Sequence, residues 1–102
     1  YDDEIATGAS VLELCNVLVE NNMEEINLVC THGLFTGDAL DRLATIPQIK
    51  EIVTTNTVPI PPEKRNPVMT ILSVGQVFGE AIWNNYCRRS IGGLFSYGED
   101  FQ

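Results

Sequence analysis

Asp2 and Asp3 stand side by side, and the small residues Ala6-Thr7-Gly8-Ala9-Ser10 follow closely behind them. An apolar run with helical spacing then begins at Val11. Small residues let a backbone approach a ligand closely, and glycine relieves the steric limit on φ. If a helix opens near Val11, residues 6–10 present free N–H groups at its N-terminus, which suits a phosphate. Thr7 and Ser10 add hydroxyls. Asp2 and Asp3 can accept hydrogen bonds from sugar hydroxyls. The bland reading is a solvated acidic pair; the turn and helix start that follow favour a phosphosugar site. Glu4 is read as pointing to solvent or to a neighbouring loop.

Such a turn needs a strand before it and a helix after it. The helix is expected over residues 9–21, where Val11, Leu12, Leu14, Cys15, Leu18 and Val19 form one apolar face and Asn21-Asn22 ends it. The strand is expected to be almost absent, with Tyr1 as its end, so the turn should be loosely held and the chain a fragment of a longer one, truncated on its N-terminal side. Residues 25–31 read as a short buried strand and residues 31–37, with Gly33 and Gly37, as a loop. Asp38 or Thr36 should cap a short helix over 38–45, ended by Pro47. A second strand is expected over 49–54. The proline-rich residues 55–67 read as an exposed connector carrying Lys64 and Arg65.

A third strand is expected over 68–72 and a helix over 74–88, with Val74, Val77, Phe78, Ala81, Ile82 and Tyr86 on one face. Arg88-Arg89 suits that helix's C-terminal dipole, or an anion beside Ser90. Residues 90–96 read as extended or turning and the tail to Gln102 as weakly ordered. Strands alternating with helices imply right-handed crossovers and a mostly parallel sheet, with ligands outside the strands' carboxyl ends.

The 102 residues suit one small domain, read as a single unit over 1–102. A net charge of −8 argues against non-specific binding to nucleic acid or an anionic membrane. Any anion site must then rest on backbone N–H groups, a helix dipole, a few arginines or a divalent cation. Cys15, Cys30 and Cys87 are odd in number, widely spaced and set in apolar runs, as buried reduced thiols of a cytoplasmic protein would be. No pair has zinc spacing, and one histidine cannot build a histidine cluster, so no metal ligands are expected. His32 reads as a structural loop histidine, without a nucleophile patterned around it. No apolar run reaches the ~18 residues that span a bilayer, and no signal peptide is read.

Six segments together resemble the C-terminal part of ribose-phosphate pyrophosphokinases. They are Asp2-Asp3-Glu4-Ile5-Ala6-Thr7-Gly8-Ala9-Ser10, Thr31-His32-Gly33-Leu34-Phe35-Thr36-Gly37, Val53-Thr54-Thr55-Asn56-Thr57-Val58-Pro59, Leu72-Ser73-Val74-Gly75, Gly79-Glu80-Ala81-Ile82 and Ser90-Ile91-Gly92-Gly93-Leu94-Phe95. The first is shared with phosphoribosyltransferases at large; the ordered set is more specific. The resemblance implies an α/β three-layer sandwich with a mostly parallel sheet, of the type I phosphoribosyltransferase-like class. It also implies transfer of the β,γ-diphosphoryl group of ATP to the 1-hydroxyl of ribose 5-phosphate, with Mg²⁺ whose ligands lie outside this chain, in a homo-oligomer built as a hexamer from dimers.

The roles it implies put Asp2 and Asp3 on the ribose hydroxyls and Ala6, Thr7, Gly8, Ala9 and Ser10 on the 5-phosphate. An allosteric role falls on Ser90 and Phe95. The chain departs from the family pattern at Ala6, which replaces a third aspartate, at Ala9 for glycine, at Ser10 for threonine, and at Gly92 for a second serine. The chain alone is expected to lack synthetase activity. A phosphoribosyltransferase and a non-catalytic synthetase-associated homologue are the alternatives.

Overall fold

Strand and helix alternate as the two periodicities require. A computed structural model describes residues 1–95, and the expectation for the tail falls outside them. The elements are β1 (Asp2–Ile5), α1 (Ala9–Glu20), β2 (Ile26–Gly33), α2 (Ala39–Ala44), β3 (Ile49–Thr55), a 3₁₀ turn (Pro62–Lys64), β4 (Met69–Leu72), α3 (Gly75–Tyr86) and a second 3₁₀ turn (Gly92–Phe95).

The four strands form one all-parallel sheet in the order β1-β2-β3-β4. Each connection steps one strand in the same direction. Right-handed crossovers then place α1 and α2 on one face, where they touch each other. Leu12 and Cys15 of α1 and Leu40 and Leu43 of α2 share one buried core with Ile5, Cys30 and Ile52 of the sheet. Packing decides the strength of such a core, because a fully buried leucine contributes about 2–3 kcal/mol over an exposed one.

The acidic pair is not the ragged end of a missing strand. Asp2–Ile5 is itself β1, paired with β2 in the register Asp2↔Cys30, Glu4↔His32 and Ile5↔Gly33. A short strand rich in carboxylates carries no period-2 signal, so only pairing reveals it. The strand β2 runs on to Gly33 and places His32 in the sheet rather than in a loop.

Both long helices end as their sequences allow. In α1 the N–H groups of Asn22 and Met23 return to the carbonyls of Val19 and Leu18, each at 3.0 Å, with Asn22 at φ 66°. In α3 the N–H groups of Arg88 and Arg89 return to Asn85 and Asn84, with Arg88 at φ 57°. Each closes a Schellman-type turn. The arginine pair therefore lies beyond the last turn of α3.

Three expectations are corrected. Neither Asp38 nor Thr36 makes a side-chain cap on α2; the Ala39 N–H instead donates to the Thr36 carbonyl at 3.2 Å. The 55–67 connector is not wholly exposed, because Ile60 is buried and its carbonyl accepts from Arg65 Nε at 3.1 Å. The helix expected over 74–88 is the shorter Gly75–Tyr86; no residue of it is buried, and Phe78, Ile82, Trp83 and Tyr86 are all exposed.

Candidate functional site

The carboxyl edge of the sheet gathers the polar segments. Residues 6–8 leave β1, residues 34–37 leave β2, Asn56 and Thr57 leave β3, and Ser73 and Val74 leave β4. Hydrogen bonds stitch them in order. The Thr36 N–H donates to the Ala6 carbonyl at 2.9 Å. Thr55 Oγ1 and Thr57 Oγ1 donate to the Thr31 carbonyl at 2.6 and 3.1 Å. His32 Nδ1 and Thr57 Oγ1 lie 2.8 Å apart. The Asn56 N–H donates to the Leu72 carbonyl at 3.0 Å, and Asn56 Oδ1 accepts from the Val74 N–H at 2.9 Å.

At the end of β1 a cavity of about 170 Å³ is lined by Asp2, Glu4 and the turn from Ala6 to Ser10, with Ile5 and Val11. Gly8 makes the turn possible. It sits at φ 78°, where an L side chain is strained, and its carbonyl accepts the first helical bond from Leu12 at 2.8 Å. No side chain caps α1 at Gly8. The amides of Ser10 and Val11, which have no intrahelical acceptor, are thus left for a ligand. Thr7 Oγ1 accepts from the Ala9 N–H at a long 3.4 Å and keeps its own proton for donation.

The turn is held, contrary to the expectation of a loose end. The Ile5 carbonyl accepts from both Leu34 and Phe35 N–H, at 2.9 and 3.1 Å. Phe35 adopts φ 46° and is 1% exposed, so the loop after β2 is locked into the core behind the turn. Gly33 permits that approach: a Cβ there would run into the Phe35 ring and lie 2.9 Å from Thr54 Oγ1.

The predicted residues separate into groups. Asp2, Ala6, Thr7, Gly8, Ala9 and Ser10 come together around the cavity, while Asp3 is not among its lining residues. Asp3 instead supports its neighbour. Its side chain and then its N–H, 2.8 Å from Asp2 Oδ1, hold the Asp2 carboxyl below the usual carboxylate range, helped by the Glu4 N–H. Ser90 and Phe95 do not line the cavity. Ser90 Oγ accepts from the Gly92 N–H at 3.0 Å, and Phe95 is exposed in the second 3₁₀ turn.

Two contributors were missed. Glu4 lines the cavity, and the Thr55–Thr57 cluster ties the edge together. The Thr-Thr-Asn-Thr run past a β-branched strand carried the signal for the second, because such side chains bond to local backbone.

A wider cavity of about 450 Å³ lies among the end of α1 and the α2–β3 loop, lined by Asn22, Glu24, Gln48 and Lys50. It sits at the amino ends of the strands, the wrong edge for an open parallel sheet. Among the described residues no group of three or more His, Cys, Asp or Glu could hold a metal ion.

Residues 1–96 match the family model described as the phosphoribosyl synthetase-associated domain. A Streptomyces coelicolor protein is 45% identical over 94 residues, which are 92% of this chain and 30% of that one. A Gloeobacter violaceus protein named ribose-phosphate pyrophosphokinase is 36% identical over 94 residues, 92% of this chain and 28% of that one. The crystal structure of phosphoribosylpyrophosphate synthetase from Mycobacterium smegmatis superposes with a TM-score of 0.80 at 32% identity, covering 85% of this chain and 29% of that one. The chain thus spans less than a third of the length of these relatives. The superposition supports a phosphoribosyltransferase-like α/β fold.

Proposed function

The chain belongs to the phosphoribosyl synthetase-associated domain family, and from that premise we propose that its β1–α1 turn binds ribose 5-phosphate for a ribose-phosphate diphosphokinase. The observation that carries the reading is the uncapped α1 N-terminus opening on a cavity that also holds carboxylates. Ala6, Thr7, Gly8, Ala9 and Ser10 receive the 5-phosphate on backbone N–H groups and two hydroxyls. Asp2, steadied by Asp3, accepts from the ribose hydroxyls. The sugar is thereby oriented so that its 1-hydroxyl can take the β,γ-diphosphoryl group of ATP, giving phosphoribosyl pyrophosphate and AMP.

This chain's share is positioning, which converts a bimolecular step into an oriented one. Mg²⁺ would supply charge neutralisation on the transferred phosphates. The carboxylates at the turn do not form a three-ligand cluster, so no step on this chain is routed through the cation. The active assembly is a homo-oligomer in this reading, and Ser90 and Phe95 belong to its regulatory surface.

Titrating ribose 5-phosphate into ¹⁵N-labelled chain tests the proposal. Amide shifts centred on Thr7, Gly8, Ala9, Ser10 and Val11 are expected, with no AMP formed when ATP and Mg²⁺ are added. Unmoved amides would remove the phosphate site, and AMP release would remove the claim that the chain is inactive alone. A second reading, a non-catalytic partner of a synthetase, is favoured by Ala6, which presents a methyl at the turn where a carboxylate stands in the family. A parent protein that forms no AMP but binds ribose 5-phosphate would establish it.

A further inference from the structure

We infer that the hydroxyls of Thr55 and Thr57 hold His32 as its Nδ1–H tautomer, which leaves Nε2 at the carboxyl edge as an open acceptor for an O–H or N–H donor and not for an anion. The inference is independent of what the β1–α1 turn binds. Four contacts meet where β2 and β3 end. Thr55 Oγ1 and Thr57 Oγ1 lie 2.6 and 3.1 Å from the Thr31 carbonyl oxygen and 3.0 Å from each other. His32 Nδ1 lies 2.8 Å from Thr57 Oγ1. The Thr57 N–H also donates to Thr55 Oγ1, at 3.2 Å.

Counting protons decides the tautomer. A hydroxyl supplies one proton, and a carbonyl supplies none but can accept two. With both hydroxyl protons on the Thr31 carbonyl, Thr57 Oγ1 is left as an acceptor, and the proton of the His32 contact must come from Nδ1. In the reverse arrangement Thr57 donates to Nδ1, and its oxygen then faces the Thr31 carbonyl at 3.1 Å with no proton between them. The Nδ1–H form puts a proton in three of the four contacts, the other form in two. The hydrogen bond made by one ring nitrogen thus sets the state of the other. The two nitrogens point to different sides of the ring, so with Nδ1 tied to the β3 end, Nε2 faces away from the cluster. Nε2 has no partner among the described residues, and His32 is exposed. β1 sets Glu4 beside His32 in register, while residues 33–37 and 54–58 carry no charge. An acceptor next to a carboxylate repels an anion and suits a donor. The carboxyl edge is also where open parallel sheets receive ligands.

Long-range ¹H–¹⁵N spectra of the 102-residue chain test this, and its one histidine makes the ring signals unambiguous. The ring is read at about pH 8.5, above the range in which histidine ordinarily changes charge. Wild type should show Nδ1 in the protonated, pyrrole-like range and Nε2 in the unprotonated, pyridine-like range. Thr57→Val should reverse the two, toward the Nε2–H form that a free imidazole side chain prefers in water. Thr57→Ser, which keeps the hydroxyl, should not. Diethyl pyrocarbonate acylates an unprotonated ring nitrogen and should modify wild type at Nε2. A wild-type ring in the Nε2–H form overturns the inference, whether or not either variant folds. So does a folded Thr57→Val chain that keeps Nδ1–H, or a wild-type ring that resists the reagent or takes it at Nδ1.

Discussion

Cys15 and Cys30 show how far a residue's chemistry follows its place. Both thiols are nearly sealed, 1% and 2% exposed, and Cys30 Sγ donates to Thr54 Oγ1 at 3.4 Å. Burial raises both above the ordinary thiol pKa; at Cys30 the negative charge of Asp2 adds to the rise and the Thr54 contact opposes it. The unfolded chain ionises these thiols at their ordinary values and the native chain does not. Their protonated state thus favours the native fold below the ordinary thiol pKa, and stability falls as pH climbs past about 9. At mildly alkaline pH, iodoacetamide should label the half-buried Cys87 first and reach Cys15 and Cys30 only on unfolding, as peptide mass spectrometry would read. Equal labelling rates would contradict the packing of both. The odd cysteine count and apolar neighbours marked all three thiols as buried; Cys15 and Cys30 are, whereas Cys87 is only half-buried. The Thr54 partner, 24 positions away, was not legible.

At the scale of elements, the β2 end and its following loop act as the backstop of the turn. Gly33 pairs with Ile5, Phe35 fills the space behind it, and Leu34, Phe35 and Thr36 N–H groups hold the Ile5 and Ala6 carbonyls. A Cβ at Gly33 has no room between Phe35 and Thr54. Gly33→Ala should therefore cost about 1–3 kcal/mol in urea denaturation, as overpacking does. It should also shift the amides of Ala6, Thr7 and Gly8, although none of these residues is altered. A variant as stable as wild type, with an unmoved turn, would show that the loop after β2 does not brace it. Two glycines in the 31–37 run signalled a loop there; the close approach that demands the first of them is a tertiary fact.

At the scale of the molecule, stability is unevenly spread. The core joins α1, α2 and the sheet, whereas α3 runs away from it with its apolar residues in solvent. The radius of gyration is 16.8 Å, above the ~13 Å of a compact domain this size. Leu43→Ala, at a fully buried site, should cost about 2–5 kcal/mol. Ile82→Ala on α3 should fall within ~0.5 kcal/mol of wild type, because no cavity forms at an exposed site. A large loss from Ile82→Ala in denaturant melts would mean that α3 is packed in solution. No helix among the described residues is long and apolar enough to cross a membrane.

The alternation of elements, the helix stop at Asn21-Asn22, and the small-residue turn with the acidic pair before it were all legible in the chain. Each is a local matter: periodicity, capping chemistry and glycine's dihedral freedom act within a few residues. What needed the tertiary structure was every relation set by register. Asp2–Ile5 is a strand only because β2 pairs with it. The cavity at the end of that strand is lined by Asp2 and Glu4 and not by Asp3. Likewise, spacing sets the apolar residues of α3 on one helical face, yet nothing in its own sequence says whether another element reaches it. Side-chain direction on a strand flips with a single step, and burial depends on partners distant in sequence. Those are the two things a one-dimensional pattern does not carry.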